Sequence, residues 1–301
     1  MASILVGTAS WTDKTLVQSG WYPKGVSSAE DRLRYYASRF HLVEADATYY
    51  FLPTEQAVTA WRERTPRQFR FDVKAFSLLT QHPTEAKALP AGAAPAGTSR
   101  VYLRQLDSAV VDDVWARFVD TLTPLHRDHK LGAVLFQFPP WFSIKRANKD
   151  YVLECVERCR PLPISVELRN ATWFREDSVE ETLEFFRHHR VPLVSVDTPA
   201  GKRSSVPPLD TATSRRLAVV RLHGRGRARP GLTPQAAAGA YSYPRRTLEQ
   251  WVTIVARLAE QSRTVHVVFR NMYRDHAVRN AEQFQRLLQE AGIGSGAAAA
   301  A

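Results

Sequence analysis

Eight short runs of apolar or alternating residues recur along the chain, at 3–8, 42–48, 69–75, 132–138, 164–169, 193–197, 218–224 and 264–270. Each reads as a strand, because side chains at i and i+2 share a face. Segments with apolar positions at helical spacing follow most of them, at 29–40, 54–64, 108–129, 149–159, 179–189, 247–261 and 277–291. The stretch 202–216 has weak helical character, and 76–107 is a long Pro-, Ala- and Gly-rich connection carrying Thr80, His82, Lys87, Arg100 and Arg104. A connection of that length in a compact protein is expected to be a functional loop or a moving arm. Strand and helix alternate for about eight rounds, the signature of an α/β fold built as one TIM-like (β/α)8 barrel. An open doubly wound sheet fits the alternation too, but gathers its polar residues at one switch point. Residues 1–291 are expected to form one barrel domain, and 292–301 are a low-complexity Gly/Ala tail.

Sorting each strand by parity separates two faces. One is apolar: Val43/Ala45, Phe71/Val73, Val134/Phe136, Val166/Leu168, Val194/Val196, Val220/Leu222 and Val267/Phe269. This face is expected to pack on the helices. The other ends in Glu44 and Asp46, Lys74, Gln137, Glu167 and Arg169, Asp197, Arg221 and His223, and Arg270. Those residues are expected to point into the barrel at its carboxyl-terminal mouth, where barrel enzymes place their chemistry. A structural explanation exists, since Arg169 alone could neutralise Glu167. A purely structural buried pair, however, is replaceable by apolar side chains at little loss. So many strands ending in charge or amide favour a site.

Its chemistry is mixed. Glu44, Glu167 and Asp197 are candidates for base catalysis, and with His223 for a divalent metal. Lys74, Arg169, Arg221 and Arg270 suit an anion, arginine forks matching phosphate oxygens best. His223, with an ordinary value near neutrality, is the candidate general acid or base. Gln137, Asn271, His276 and Asn280 are further candidates for substrate contacts. Trp173 and the Tyr49-Tyr50-Phe51 run offer stacking surfaces.

The net charge of +11 over 301 residues strengthens the anion reading, since nucleic acid is the commonest cellular polyanion. The basic loops at 100–104 and 225–229 are expected to flank the mouth and track a phosphate backbone. The two cysteines, Cys155 and Cys159, rule out a disulfide framework and read as reduced structural thiols. No apolar run reaches the length of a membrane span and the first ten residues lack a leader pattern, so the expected location is the cytoplasm, away from membranes. No phosphate-binding Gly-rich loop, nucleophile elbow or His-Glu-x-x-His helix is present, which disfavours nucleotide triphosphatases, dinucleotide oxidoreductases and serine hydrolases.

Seven ordered blocks give the chain a resemblance. They are Gly7-Thr8-Ala9-Ser10-Trp11, Val43-Glu44-Ala45-Asp46-Ala47-Thr48-Tyr49-Tyr50, Phe69-Arg70-Phe71-Asp72-Val73-Lys74, Gln137-Phe138-Pro139-Pro140, Val166-Glu167-Leu168-Arg169 with Trp173-Phe174, Arg221-Leu222-His223-Gly224-Arg225, and His276-Ala277-Val278-Arg279-Asn280-Ala281. With these the sequence resembles the YecE-like family, domain of unknown function 72. The resemblance implies a TIM-like barrel and supplies no activity. Asp46 stands where that family usually has Asn, Arg270 where it often has Asn, and Asn170 where it usually has His.

The leading expectation is a nuclease-like barrel hydrolase acting on phosphodiesters of nucleic acid, with water activated by a carboxylate directly or through a divalent metal ion. The alternatives are an isomerase or lyase acting on a small phosphorylated sugar, and a non-catalytic nucleic-acid-binding protein. Oligomeric state and the choice of DNA or RNA are left open by the sequence.

Overall fold

The structure, a computed structural model, describes residues 2–199, 204–226 and 239–294. Eight parallel strands surround a common axis: β1 (Ser3–Ala9), β2 (Leu42–Ala45), β3 (Arg70–Lys74), β4 (Leu131–Gln137), β5 (Ile164–Glu167), β6 (Ser195–Asp197), β7 (Leu217–Leu222) and β8 (Thr264–Phe269). Their order is β5-β4-β3-β2-β1-β8-β7-β6, and a parallel bridge from Val166 to Leu193 brings the two end strands together. The result is a nearly closed TIM-like barrel.

Among the described residues seven helices of nine or more residues pack outside it: α1 (Ala29–Arg39), α2 (Glu55–Glu63), α3 (Ser108–Arg127), α4 (Arg146–Arg158), α5 (Val179–His188), α6 (Arg245–Gln261) and α7 (His276–Glu290). Local signals set several of their ends. Ser28 and Asp31 form a reciprocal capping box at the start of α1. The Thr54 hydroxyl accepts from Ala57 N at 3.2 Å to start α2. Six of the eight strands stop one to three residues earlier than alternation alone implies, because the chain turns as soon as it leaves the rim. The expected strand at 42–48, for example, ends at Ala45 and continues as the 3₁₀ turn Asp46–Tyr49.

No helix among the described residues joins β6 to β7. Side-chain hydrogen bonds fasten that connection to the barrel instead. Ser195 Oγ donates to Leu209 O at 2.7 Å and accepts from Leu209 N at 2.9 Å. Thr213 Oγ1 accepts from Leu193 N at 2.8 Å. Residues 202 and 203 of that stretch, 227–229 of the basic loop and 295–301 of the tail lie outside the described residues. The 76–107 connection is better anchored than its composition implies. Ser77, Leu78, Leu79 and Thr80 are buried, and Thr84–Glu85 pairs with Arg100–Val101 as a small antiparallel ribbon.

Paired residues of parallel strands face the same side, so the register carries sidedness round the barrel. The main apolar cluster joins the outer strand faces to the helices, as Val43, Phe71, Val134, Val166, Val220 and Val267 show. Strand β6 reverses the expected sides. Val196 pairs with inward Arg221, whereas Asp197 pairs with outward Leu222. Val194 and Val196 therefore fill the interior beside Ala133, Leu135, Leu217 and Val219, and Asp197 faces the helices. Both parities of 193–197 carry apolar residues, so alternation could not choose between them.

Where β1 meets β2 the backbones approach so closely that a Cβ on Gly7 would lie 1.9 Å from Leu42 O. Gly7→Ala is expected to cost about 3 kcal/mol, since backbone must move to relieve the overlap. A urea denaturation midpoint that stays in place would refute the tight approach.

Candidate functional site

The carboxyl ends of the strands deliver an ionic cluster into the barrel mouth. At its centre Arg221, fully buried, projects inward from β7. Its guanidinium grips Glu44 on β2 through two bonds, Nε to Oε2 at 2.8 Å and Nη2 to Oε1 at 2.6 Å. Nη1 bonds the second carboxylate, Glu167 on β5. Glu167 Oε1 also accepts from Gln137 Nε2 at 2.7 Å and Arg169 Nη1 at 3.2 Å, and lies 3.0 Å from His223 Nε2. A second knot sits beside the first. Asp46 meets Lys74 Nζ at 2.9 Å and Arg270 Nη2 at 3.4 Å, while Lys74 lies 4.4 Å from the centre of the Tyr49 ring. Glu44, Glu167, His223, Lys74, Arg169, Arg221, Gln137 and Arg270 thus converge as the parity argument expects.

Electrostatics decide what these groups can do. Burial favours the protonated form of Glu167, but Arg221, His223 and Arg169 outweigh it and hold the carboxyl well below its ordinary range. Burial acts likewise on Asp46 and is outweighed by Lys74 and Arg270. Glu44 moves the other way, raised by burial although Arg221 opposes. Burial also lowers Lys74 against the pull of Asp46, and pushes His223 down to about 3 despite its contact with Glu167. His223 is consequently a neutral imidazole at neutral pH. The lowered value disfavours a charged imidazolium at neutral pH, against the expectation of titration near neutrality.

Asp197 is not part of this cluster. It receives Arg225 Nε at 2.8 and 2.9 Å on the outer side of the barrel, beside Tyr243 and Trp251. The expected metal set of Glu44, Glu167, Asp197 and His223 therefore does not form. A guanidinium occupies the space between the two glutamates, and among the described residues no group of three or more His, Cys, Asp or Glu is placed to hold a metal ion. The donors present do not fit a divalent ion.

Three further candidates are structural. Trp173 is fully buried, donates from Nε1 to Phe142 O at 2.7 Å and lies parallel to the Phe142 ring, so it offers no stacking face to a ligand. Asn271 donates to Asn280 Oδ1 at 2.9 Å and to Tyr241 O at 2.8 Å. Asn280 in turn accepts from Tyr243 N at 3.0 Å and donates to Tyr243 O at 3.1 Å, so the two amides staple the 241–243 segment to the start of α7. His276 opens that helix, with its ring 5.4 Å from that of Tyr273. In the loops expected to track a backbone, Arg100 pairs with Glu85 at 2.6 Å and Arg225 with Asp197.

What remains at the mouth is a cluster in which cations outnumber carboxylates. Four cations, Lys74, Arg169, Arg221 and Arg270, face three carboxylates, Glu44, Asp46 and Glu167, leaving one positive charge uncompensated. The Nε groups of Arg169 and Arg270 are buried without a partner, although a buried donor ordinarily finds one. Large aromatic side chains stand exposed on loops at the same end of the barrel: Tyr50 and Phe51 after β2, Trp141 after β4 and Tyr273 after β8. Trp141 also meets His82, which in turn meets Tyr49. Trp141 and Tyr273 escaped the sequence reading. Their one signal is position, an aromatic side chain in a loop after a strand's carboxyl end.

Fold and mouth together define a TIM-like barrel protein with a buried ionic cluster at the carboxyl ends of its strands. Comparison with known proteins narrows this. Residues 5–300 match the family described as "Protein of unknown function DUF72", and the chain belongs to that family. The UPF0759 protein YunF of Bacillus subtilis is 31% identical over 290 residues, covering 95% of this chain and 94% of that protein. The UPF0759 protein YecE of Escherichia coli is 35% identical over 188 residues, 62% of this chain and 56% of that protein. Crystal structures of DUF72 family proteins agree with the fold. One from Enterococcus faecalis has a TM-score of 0.77 at 25% identity, covering 96% of this chain and 98% of its own. Another from Thermotoga maritima has a TM-score of 0.76 at 26% identity, with coverages of 95% and 99%.

Proposed function

We propose that the barrel mouth binds the phosphodiester backbone of a single-stranded nucleic acid. The observation that carries this reading is the pair of buried, unpartnered Nε donors on Arg169 and Arg270 beside a cluster with surplus positive charge. A phosphate there takes up both donors and neutralises the surplus. The exposed rings of Tyr50, Phe51, Trp141 and Tyr273 supply the faces on which splayed bases stack, an interaction every base allows. A small phosphorylated sugar satisfies the arginines but leaves this aromatic rim without a role.

Cleavage of the bound phosphodiester is a second reading, and it rests on the Glu167–His223 pair. An imidazole that donates from Nε2 to Glu167 keeps Nδ1 as a lone pair for a proton taken from water. With its value near 3, His223 is a weak base, so cleavage through it is slow. Binding is therefore the stronger conclusion.

Fluorescence anisotropy with a labelled single-stranded oligonucleotide tests both. Affinity is expected to fall steeply as salt rises from about 50 to about 200 mM. Arg270→Gln is expected to weaken binding by about 10- to 100-fold, the worth of one charge-assisted contact at about 1.5–3 kcal/mol. An absence of binding at low salt refutes the proposal, as does displacement of the oligonucleotide by small sugar phosphates at equal phosphate concentration. Product analysis of the same mixtures, with His223→Ala as comparison, decides the second reading.

A further inference from the structure

A cavity of about 620 Å³ lies at the other end of the barrel, where the strands begin. Its floor is the interior of the barrel. There His266 Nδ1 meets both oxygens of Asp72 at 3.0 Å, and Gly132 makes room for this pair, since a Cβ on it would lie 2.4 Å from Asp72 Oδ1. Apolar walls come from Leu5, Leu131, Val191 and Leu217. The rim is cationic: Arg70, Arg160, Arg190 and Arg216 line it together with His41, His126, His129 and His189, and among the described residues no carboxylate lines it. Arg160 pairs with Glu157 at 3.1 Å, but no salt bridge is found for Arg70, Arg190 or Arg216 among the described residues. An adjoining depression shares Arg190 and Arg216 and adds Arg187, Arg215 and Arg263. Two rim residues, His129 (φ 57°) and Arg190 (φ 56°), hold left-handed backbone just past the ends of α3 and α5. Glycine is the usual residue there, so a side chain is kept at some conformational cost.

We infer that this amino-terminal cavity is a second binding site, independent of the mouth, for a phosphate-bearing small molecule of nucleotide size. The volume falls within the range of about 300–1,000 Å³ usual for small-molecule sites. Its chemistry is two-sided: apolar walls for a flat body, and for phosphate oxygens the guanidinium groups of Arg70, Arg190 and Arg216, which have no salt bridge among the described residues. Burial lowers His41, His126 and His189, with Arg216 adding to the effect on His126, which disfavours the charged form of these three rings beside the arginines. The imidazole nitrogens supply further hydrogen-bonding groups around them.

Calorimetric titration of the whole chain with ATP and with inorganic pyrophosphate tests the inference. Both are expected to bind, and saturating oligonucleotide is expected to leave the ATP affinity unchanged. Arg216 is exposed, so Arg216→Glu leaves the fold intact, which its melting temperature checks; it is expected to weaken both ligands at least tenfold. Imidazole NMR signals of His126 and His129 are expected to shift on adding ATP while that of His223 stays in place. Failure of both ligands to bind, or equal affinity in Arg216→Glu, overturns the inference. So does binding seen only with polynucleotides and rising with their length. Because neither probe depends on the mouth, failure of oligonucleotide binding leaves this titration fully readable.

Discussion

Arg221→Leu is expected to destabilise the protein by about 3–5 kcal/mol, because it strands two buried carboxylates that share one guanidinium. The contrast is a simultaneous change of Glu44, Arg221 and Glu167 to apolar residues of similar volume. That variant removes the desolvation cost together with the attraction, and is expected to be near neutral or more stable than the parent. Urea denaturation of both variants measures the difference. If the single variant loses less than about 1 kcal/mol, the value of an exposed pair, the cluster does not carry the burden assigned to it.

The same cluster sets the response to acid. Glu167 is held below its ordinary 4.5, so its contribution is complete above that value and is lost as pH falls through its folded value. His223 acts in the same direction for a different reason. Its folded value of about 3 lies below the ordinary 6.5, so between those limits the unfolded chain takes up a proton that the folded chain refuses. Glu44, raised by burial, opposes both once the unfolded carboxyl ionises. The net expectation is a denaturation midpoint that declines from about pH 6.5 downward, and less steeply in His223→Gln.

Trp173→Ala is expected to cost about 3–5 kcal/mol, the range for removing a fully buried large aromatic side chain, with the loss of its bond to Phe142 O added. Trp141→Ala, by contrast, removes a ring that is 58% exposed. Its stability is expected to change by less than about 0.5 kcal/mol, as for ordinary surface positions, while oligonucleotide affinity falls by about 1–3 kcal/mol, the worth of one stacked base. Thermal melts and the anisotropy assay together separate the two tryptophans. The assignment of rim and core fails if Trp173→Ala melts like the parent, or if Trp141→Ala binds like it.

Neighbouring residues were enough to locate most of the elements. Helix and strand positions agree to within a few residues because the two periods, 3.6 and 2, are written into adjacent side chains. The convergence of Glu44, Lys74, Glu167, Arg221 and Arg270 was legible for the same reason: one parity of each strand ran from apolar to charged. Strand β6 shows the limit. In Leu193-Val194-Ser195-Val196-Asp197 either parity could line a core, and only pairing with β7 sent Asp197 outward. Trp173 and Trp141 likewise differ in nothing a list of residues displays; one is enclosed by Phe142 and Phe186, the other stands at the rim.

Local order along the chain dictated the eightfold alternation, the polar strand ends and the surplus of positive charge, since these depend on neighbours a few residues apart. Tertiary structure decided which charges cancel. Arg221 neutralises Glu44 from 177 positions away, and Asp72 meets His266 from 194 positions away. It also decided that the open guanidinium groups gather at both ends of the barrel. Coulomb energy and desolvation depend on distance through space and on burial, and neither is a property of sequence separation.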